Sequence, residues 1–196
     1  MILQALYNCY DLLEKDENYI VPQKGYSFVI CSYTLVINAQ GLVESVTPLG
    51  DEKSGQKLMV PAQSGRTGKN PTPYFLCDKS KYILGAEIPN GKKDLEQTPD
   101  SLRNCITRHR EILEGVEDDG ARAVLAFFQR MEEGYQPVED PEHAVYKGGN
   151  IVFRYDPNSL DGDEEYVHEI PGVRKAWERE EERKAAEEAY YSSCLI

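Results

Sequence analysis

The sequence predicts an α+β fold: a mainly antiparallel sheet with helices packed around it and a charged C-terminal helix. Three observations carry that expectation. Runs of β-branched and aromatic residues dominate the first half of the chain. Two strong helical signals follow, and one more strand-like run separates them from a last, highly charged helix. A chain of 196 residues, 40% of them apolar, can bury a real core in one domain with an appendage, divided here as 1–171 and 172–196.

At the start, Ile2, Leu3, Leu6, Tyr7, Tyr10 and Leu13 recur at helical spacing, which predicts an amphipathic helix over 2–15. YSFVICSYTLVIN (26–38) and LVESVTPL (42–49), separated by AQG, read as two strands joined by a short turn. KLMVPA (57–62) reads as a third strand, with YFLC (74–77) and KYILG (81–85) as shorter ones. The next segment opens a helix with Thr98 as N-cap, Pro99 at the first helical position and Gly115 as its stop. DDGARAVLAFFQRMEEG predicts a second helix that buries Val124, Leu125, Phe127, Phe128 and Met131. NIVFRYD (150–156) returns to strand and YVHEI (166–170) pairs with it. Residues 172–190 read as a charged helix with Ala176, Trp177, Ala185, Ala189 and Tyr190 as apolar contacts. The apolar ending Cys194-Leu195-Ile196 reads either as a tail that docks into the core or, the preferred expectation, as a strand cut short inside a longer protein, and Cys194 stands one position too late for a prenylation box.

The formal net charge of -12 argues against a protein that binds nucleic acid over its whole surface. The charge is partitioned, however. Between Lys53 and Lys81 lie six basic residues against a single acidic one, Asp78, so this segment is +5 and the remainder -17. Five cysteines without CxxC spacing fit a reducing cytoplasm better than a disulfide framework. MILQALYNCYDLLEK has neither the basic n-region nor the small-residue cleavage site of a signal peptide, and no apolar run reaches membrane-spanning length.

Several chemistries find little support. A Walker loop would need Gly where Gln63 stands and a hydroxyl where Asn70 stands, and Pro71 and Pro73 forbid a helix there. Gly65-Arg66-Thr67-Gly68 matches the GxxG clamp of KH domains but lacks the flanking helices. His109, His143 and His168 have no second ligand at metal spacing, which predicts surface or partly buried side chains. Asp156, Asn158 and Asp161 hint at a calcium loop, but Leu160 falls where an oxygen ligand belongs. No nucleophile motif occurs, and Asp118-Asp119 and Glu164-Glu165 read as a helix start and a solvated loop. No catalytic residue, metal or cofactor is therefore expected. The charged last helix needs no partner, because Glu and Lys/Arg at four-residue spacing support an exposed helix.

What remains is the loop SGRTGKNPTP, either a soluble surface turn or a binding element. Glycines permit close backbone approach, and the prolines limit the entropy lost on ordering. On this chemistry Lys53, Lys57, Lys79 and Lys81 would hold phosphates, while Gln63, Arg66, Thr67, Lys69 and Asn70 would lie nearest base edges.

In order along the chain, MILQALYNCYDLL, RTGKNPTPYFLCDKSKYILG, ARAVLAFF, NIVFRYD and the ending AYYSSCLI resemble one family. It is the N-terminal part of the large subunit of the type I-C CRISPR Cascade surveillance complex. The opening MILQALY and Arg66, Thr67, Pro73, Asp78, Tyr82, Leu84 and Gly85 are the most specific parts of the likeness. A departure is Gly68-Lys69, where that family often shows Ser-Gly. The resemblance implies a non-enzymatic cytoplasmic subunit that meets double-stranded DNA at the PAM and helps part its strands. Its implied partners are crRNA-containing Cascade subunits and a helicase-nuclease, with no membrane. A protein-interaction module docking those same partners is the alternative, and an RNA-processing enzyme using His109 or His168 a third.

Overall fold

The computed structural model describes residues 21–50, 54–63, 65–66, 71–157 and 164–193. The helix expected over 2–15 and the ending 194–196 lie outside them. The architecture is α+β, with mostly antiparallel strands and four α-helices among the described residues. The organising element is strand β1 (Tyr26–Ile37), twelve residues of mainly β-branched and aromatic character. Two successive strands share its length: β2 (Val43–Pro48) runs antiparallel along Tyr33–Ile37, and β3 (Gln56–Pro61) along Tyr26–Cys31.

Further along the chain come β4 (Cys77–Asp78), α1 (Ser80–Ile83), β5 (Ala86–Glu87) and β6 (Glu96–Gln97). Then follow α2 (Pro99–Leu113), α3 (Asp119–Glu132), β7 (Asn150–Tyr155), β8 (Glu165–Tyr166) and α4 (Pro171–Ser193). Strand β7 pairs parallel with β1 and antiparallel with β4 and β8; β5 and β6 form a separate hairpin. The parallel β1–β7 pair is the exception in a sheet otherwise antiparallel, and its crossover carries α2 and α3. Residues 34–37 of β1 are all buried, as a strand flanked by β2 and β7 requires.

The core runs through aromatic contacts. Phe127 and Phe128 of α3 meet Phe153 of β7 edge-on, with centroids 5.4 and 5.9 Å away. Phe128 in turn touches His109, His109 touches Phe75, and Phe75 stacks on Trp177 of α4 at 5.5 Å. Helix α4 thus begins inside the core, with Val173, Ala176 and Trp177 buried. Ala185, Ala189 and Tyr190, expected as apolar contacts, are exposed instead, because the buried face of the helix ends at Trp177.

Three strand expectations need correction. KYILG forms a helical turn, α1: Tyr82 and Ile83 donate to the Lys79 carbonyl and Leu84 to that of Ser80. Gly85 at φ +69° then ends it. Tyr82, Ile83 and Leu84 are buried consecutively, and so short an apolar run carries no period that separates helix from strand. In YFLC only Cys77 is in a strand, because Leu76 sits at φ +55°, held there by its N–H donating to His109 Nε2 at 2.9 Å. In YVHEI only Tyr166 pairs with β7, and Val167–Glu169 closes into a 3-10 turn.

The turn between β1 and β2 carries a sharp test. Gly41 has φ +72°, and a Cβ there would lie 2.2 Å from the backbone nitrogen of Phe127. Gly41→Ala is expected to lose about 2 kcal/mol, from left-handed strain and displacement of α3. A thermal or urea melt checks it.

Candidate nucleic-acid interface

The basic segment hangs between β3 and α1, and two contacts close its base. Gln63 donates its side-chain N–H to the Cys77 carbonyl at 2.9 Å, tying the end of β3 to β4. Arg66 forms an ion pair with Asp78, and its Nε donates to the Thr72 carbonyl at 3.1 Å. The guanidinium lies over Tyr74 and Tyr82, with centroids at 3.6 and 4.2 Å. Cation–π contact on two rings and an ionic hydrogen bond hold a planar fork in one orientation.

Asp78 is fully buried. Besides Arg66, its Oδ2 accepts the Tyr74 N–H at 2.7 Å and its Oδ1 the Lys79 N–H at 2.7 Å. Burial pushes the Asp78 carboxyl upward, opposed by Arg66 and by these backbone donors. One buried carboxylate thus organises both the exit of the loop and the start of α1.

The other segment residues divide by location. Lys57 is exposed on β3 with its ammonium 4.6 Å from the Phe28 ring centroid. Lys79 is exposed and forms no ion pair among the described residues. Lys81 lies 3.9 Å from Glu87, a half-exposed pair that solvent weakens. Lys53, Thr67, Lys69 and Asn70 lie outside the described residues. Arg66 and Gln63, expected near base edges, are both engaged within the protein: a guanidinium clamped by Asp78 and Thr72 has few donors left for a ligand. Sequence reasoning missed Asp78, Tyr74 and Tyr82 as partners of Arg66. The available signal was Asp78 itself, the lone acid in a basic segment.

A cleft of about 490 Å³ opens beside the loop base, lined by Gln63, Tyr74, Arg108, Arg183 and Lys184 among others. Its cations are held by carboxylates: Glu180 lies 3.7 Å from Arg108, 2.8 Å from Arg183 and 4.0 Å from Lys184.

The histidines differ from expectation. His109 and His168 are buried, and the Nδ1 of His168 has no hydrogen-bond partner among the described residues. His109 Nδ1 shares a 2.7 Å hydrogen bond with the Cys105 carbonyl while Nε2 accepts from Leu76, which fixes the neutral tautomer. Desolvation lowers both His109 and His168 to about 4. His143, partly buried, accepts the Val145 N–H at 3.2 Å and caps a 3-10 turn at Ala144–Lys147. Asp156 is buried, whereas Asn158 and Asp161 lie outside the described residues. Among the described residues no group of three or more His, Cys, Asp or Glu is placed to hold a metal ion, and no helix is long and apolar enough to cross a membrane. Cys31, Cys77 and Cys105 are buried free thiols.

A comparison with curated proteins finds no significant match. The family model described as CRISPR-associated protein (Cas_Csd1) matches residues 6–196, a span that takes in the sheet, the braced loop and the charged helix. By a match over almost its whole length, the chain belongs to the Cas_Csd1 family of CRISPR-associated proteins.

Proposed function

We propose that the chain is the DNA-recognising part of the large subunit of a type I-C surveillance complex. In this reading it is not an enzyme: it contacts the PAM duplex and helps separate the strands for crRNA-guided pairing. The observation that carries the reading is the +5 segment anchored by Arg66 on the buried Asp78 in a body of opposite charge. A locally cationic segment braced at Arg66 attracts phosphates at short range, while the surrounding negative charge discourages indiscriminate duplex binding.

Among the described residues the roles follow from availability, and Lys53, Thr67, Lys69 and Asn70 keep the roles that their chemistry suggests in the sequence. Lys57, Lys79 and Lys81, with Lys53, are the phosphate contacts; Thr67, Lys69 and Asn70 are the residues offered to base edges. Arg66 and Gln63 set the shape of the loop. Crossing a membrane has no part in this role, and the other partners are crRNA-bearing subunits and a helicase-nuclease. The exposed stretch of α4 beyond Trp177, where Tyr190 is 66% exposed, supports a second reading as a docking surface for those proteins.

The test uses the assembled complex carrying Lys57→Ala/Lys79→Ala/Lys81→Ala on a target library with randomised PAMs. The expected result is weaker binding of PAM-bearing targets and less strand opening, with assembly intact. Normal binding and opening would overturn the DNA reading; failure to assemble would favour the docking one.

A further inference from the structure

We propose that the β5–β6 hairpin and the adjoining 3-10 turn form a second phosphate-contact site. It would take the sugar–phosphate backbone of the same nucleic acid that the loop engages, and so rests on the DNA reading above. The groove measures about 430 Å³ and is lined by Ile88, Pro89, Asn90, Gly91, Lys92, Lys93, Glu142 and Lys147. Three of these are lysines and one is acidic, in a chain where acids outnumber bases 34 to 22.

The state of these cations matters more than their number. Lys92 is paired with Glu96 within the hairpin. Lys93 and Lys147 are exposed and form no ion pair among the described residues, unlike Arg66, Arg108, Arg110, Arg154 and Arg183. An unpaired ammonium meets a phosphate without first breaking another contact, and a compact ammonium suits a phosphate as a point charge.

The groove is built rather than loose. The Ile88 N–H donates to the Tyr146 carbonyl at 2.7 Å, joining the hairpin to the turn that carries Lys147. Lys92 N–H donates to the Pro89 carbonyl at 2.9 Å, and His143 caps the turn from the other side. At Gly91 a Cβ would meet nothing within 4 Å, so a ligand backbone can approach closely there.

Position joins this groove to the loop. Helix α1 packs against the 3-10 turn and against β5, and Lys81 at its start reaches Glu87 of β5. The cations at 79 and 81 and those at 93 and 147 therefore lie on adjoining parts of the fold.

The test compares four forms of the chain by fluorescence anisotropy on a labelled 25-base-pair duplex between 50 and 200 mM salt. They are wild type, Lys93→Glu/Lys147→Glu, Lys79→Glu/Lys81→Glu, and Lys24→Glu/Lys175→Glu as a control of equal charge change. All six lysines are at or near the surface, and circular dichroism checks folding. The hairpin pair is expected to flatten the salt slope by about 2, so that wild type loses about tenfold more affinity than this variant across the range. A flattening by the loop pair alone would overturn the hairpin site and leave the DNA reading standing. A flattening by the hairpin pair alone would support the site and overturn the loop. Equal flattening by the control would reduce the effect to net charge and overturn the site; no salt-sensitive binding by wild type would overturn both.

Discussion

Arg66→Ala is expected to destabilise the protein by about 3–5 kcal/mol, the usual loss when one member of a buried ion pair is removed. Asp78 is fully buried and keeps only the Tyr74 and Lys79 amides once the guanidinium has gone. Two faces of aromatic contact, with Tyr74 and Tyr82, are lost as well. The carboxyl responds by binding a proton, which limits the penalty and moves its titration further upward from an already raised position. The reverse substitution, Asp78→Asn, is expected to cost less. Arg66 retains 17% of its side-chain surface in solvent, the Thr72 carbonyl and both rings, so its charge is not stranded. Urea denaturation of the two variants measures both effects. An Arg66→Ala variant within about 1 kcal/mol of wild type would refute the brace. The same variant is a poor probe of DNA contact, since a collapsed loop and a lost contact both weaken binding.

This changes what the most recognisable stretch of the sequence means. Arg66, Asp78, Tyr82 and Gly85, on which the sequence resemblance rested, are here the ion pair, its aromatic cover and the left-handed stop of α1. They specify a shape, and the exposed lysines around them lend it charge. The long strand β1, helices α2 and α3 and the start of α4 were legible because each repeats its period over many residues. KYILG was not legible, because three consecutive apolar residues suit either a buried turn of helix or a strand; the Arg66–Asp78 pair before the turn and the Thr98 hydroxyl donating to the Lys81 carbonyl at 2.8 Å fix it, and both join residues distant in sequence. The bend at Leu76 depends on His109, 33 positions away, and no local pattern announces it. For the same reason the two histidines gave no sign of burial, since isolated polar residues reveal their environment only through the partners that the fold brings to them.

Those two histidines make stability sensitive to mild acid. In the unfolded chain each titrates near 6.5; in the folded protein burial lowers each to about 4. Well above pH 6.5 both states hold the rings neutral and the contribution is constant. As pH falls from 6.5 towards 4 the unfolded chain binds protons that the folded one refuses, so stability drops. By pH 5 the loss is about 2 kcal/mol for each histidine. Asp78 acts in the opposite sense: its raised pKa lets the folded protein take up a proton before the unfolded chain does, which offsets part of the loss at the acid end. The His109 ring, once protonated, could no longer accept the Leu76 N–H that holds the strained residue before β4, so local opening should begin at the base of the loop. Urea midpoints at pH 7.5 and 5.0 for wild type, His109→Gln and His168→Gln test this. Each substitution should remove roughly half of the histidine-linked drop, even where it lowers stability at both pH values. A wild-type midpoint equal at the two pH values, or a drop undiminished in both variants, would show that neither ring resists protonation in the folded protein.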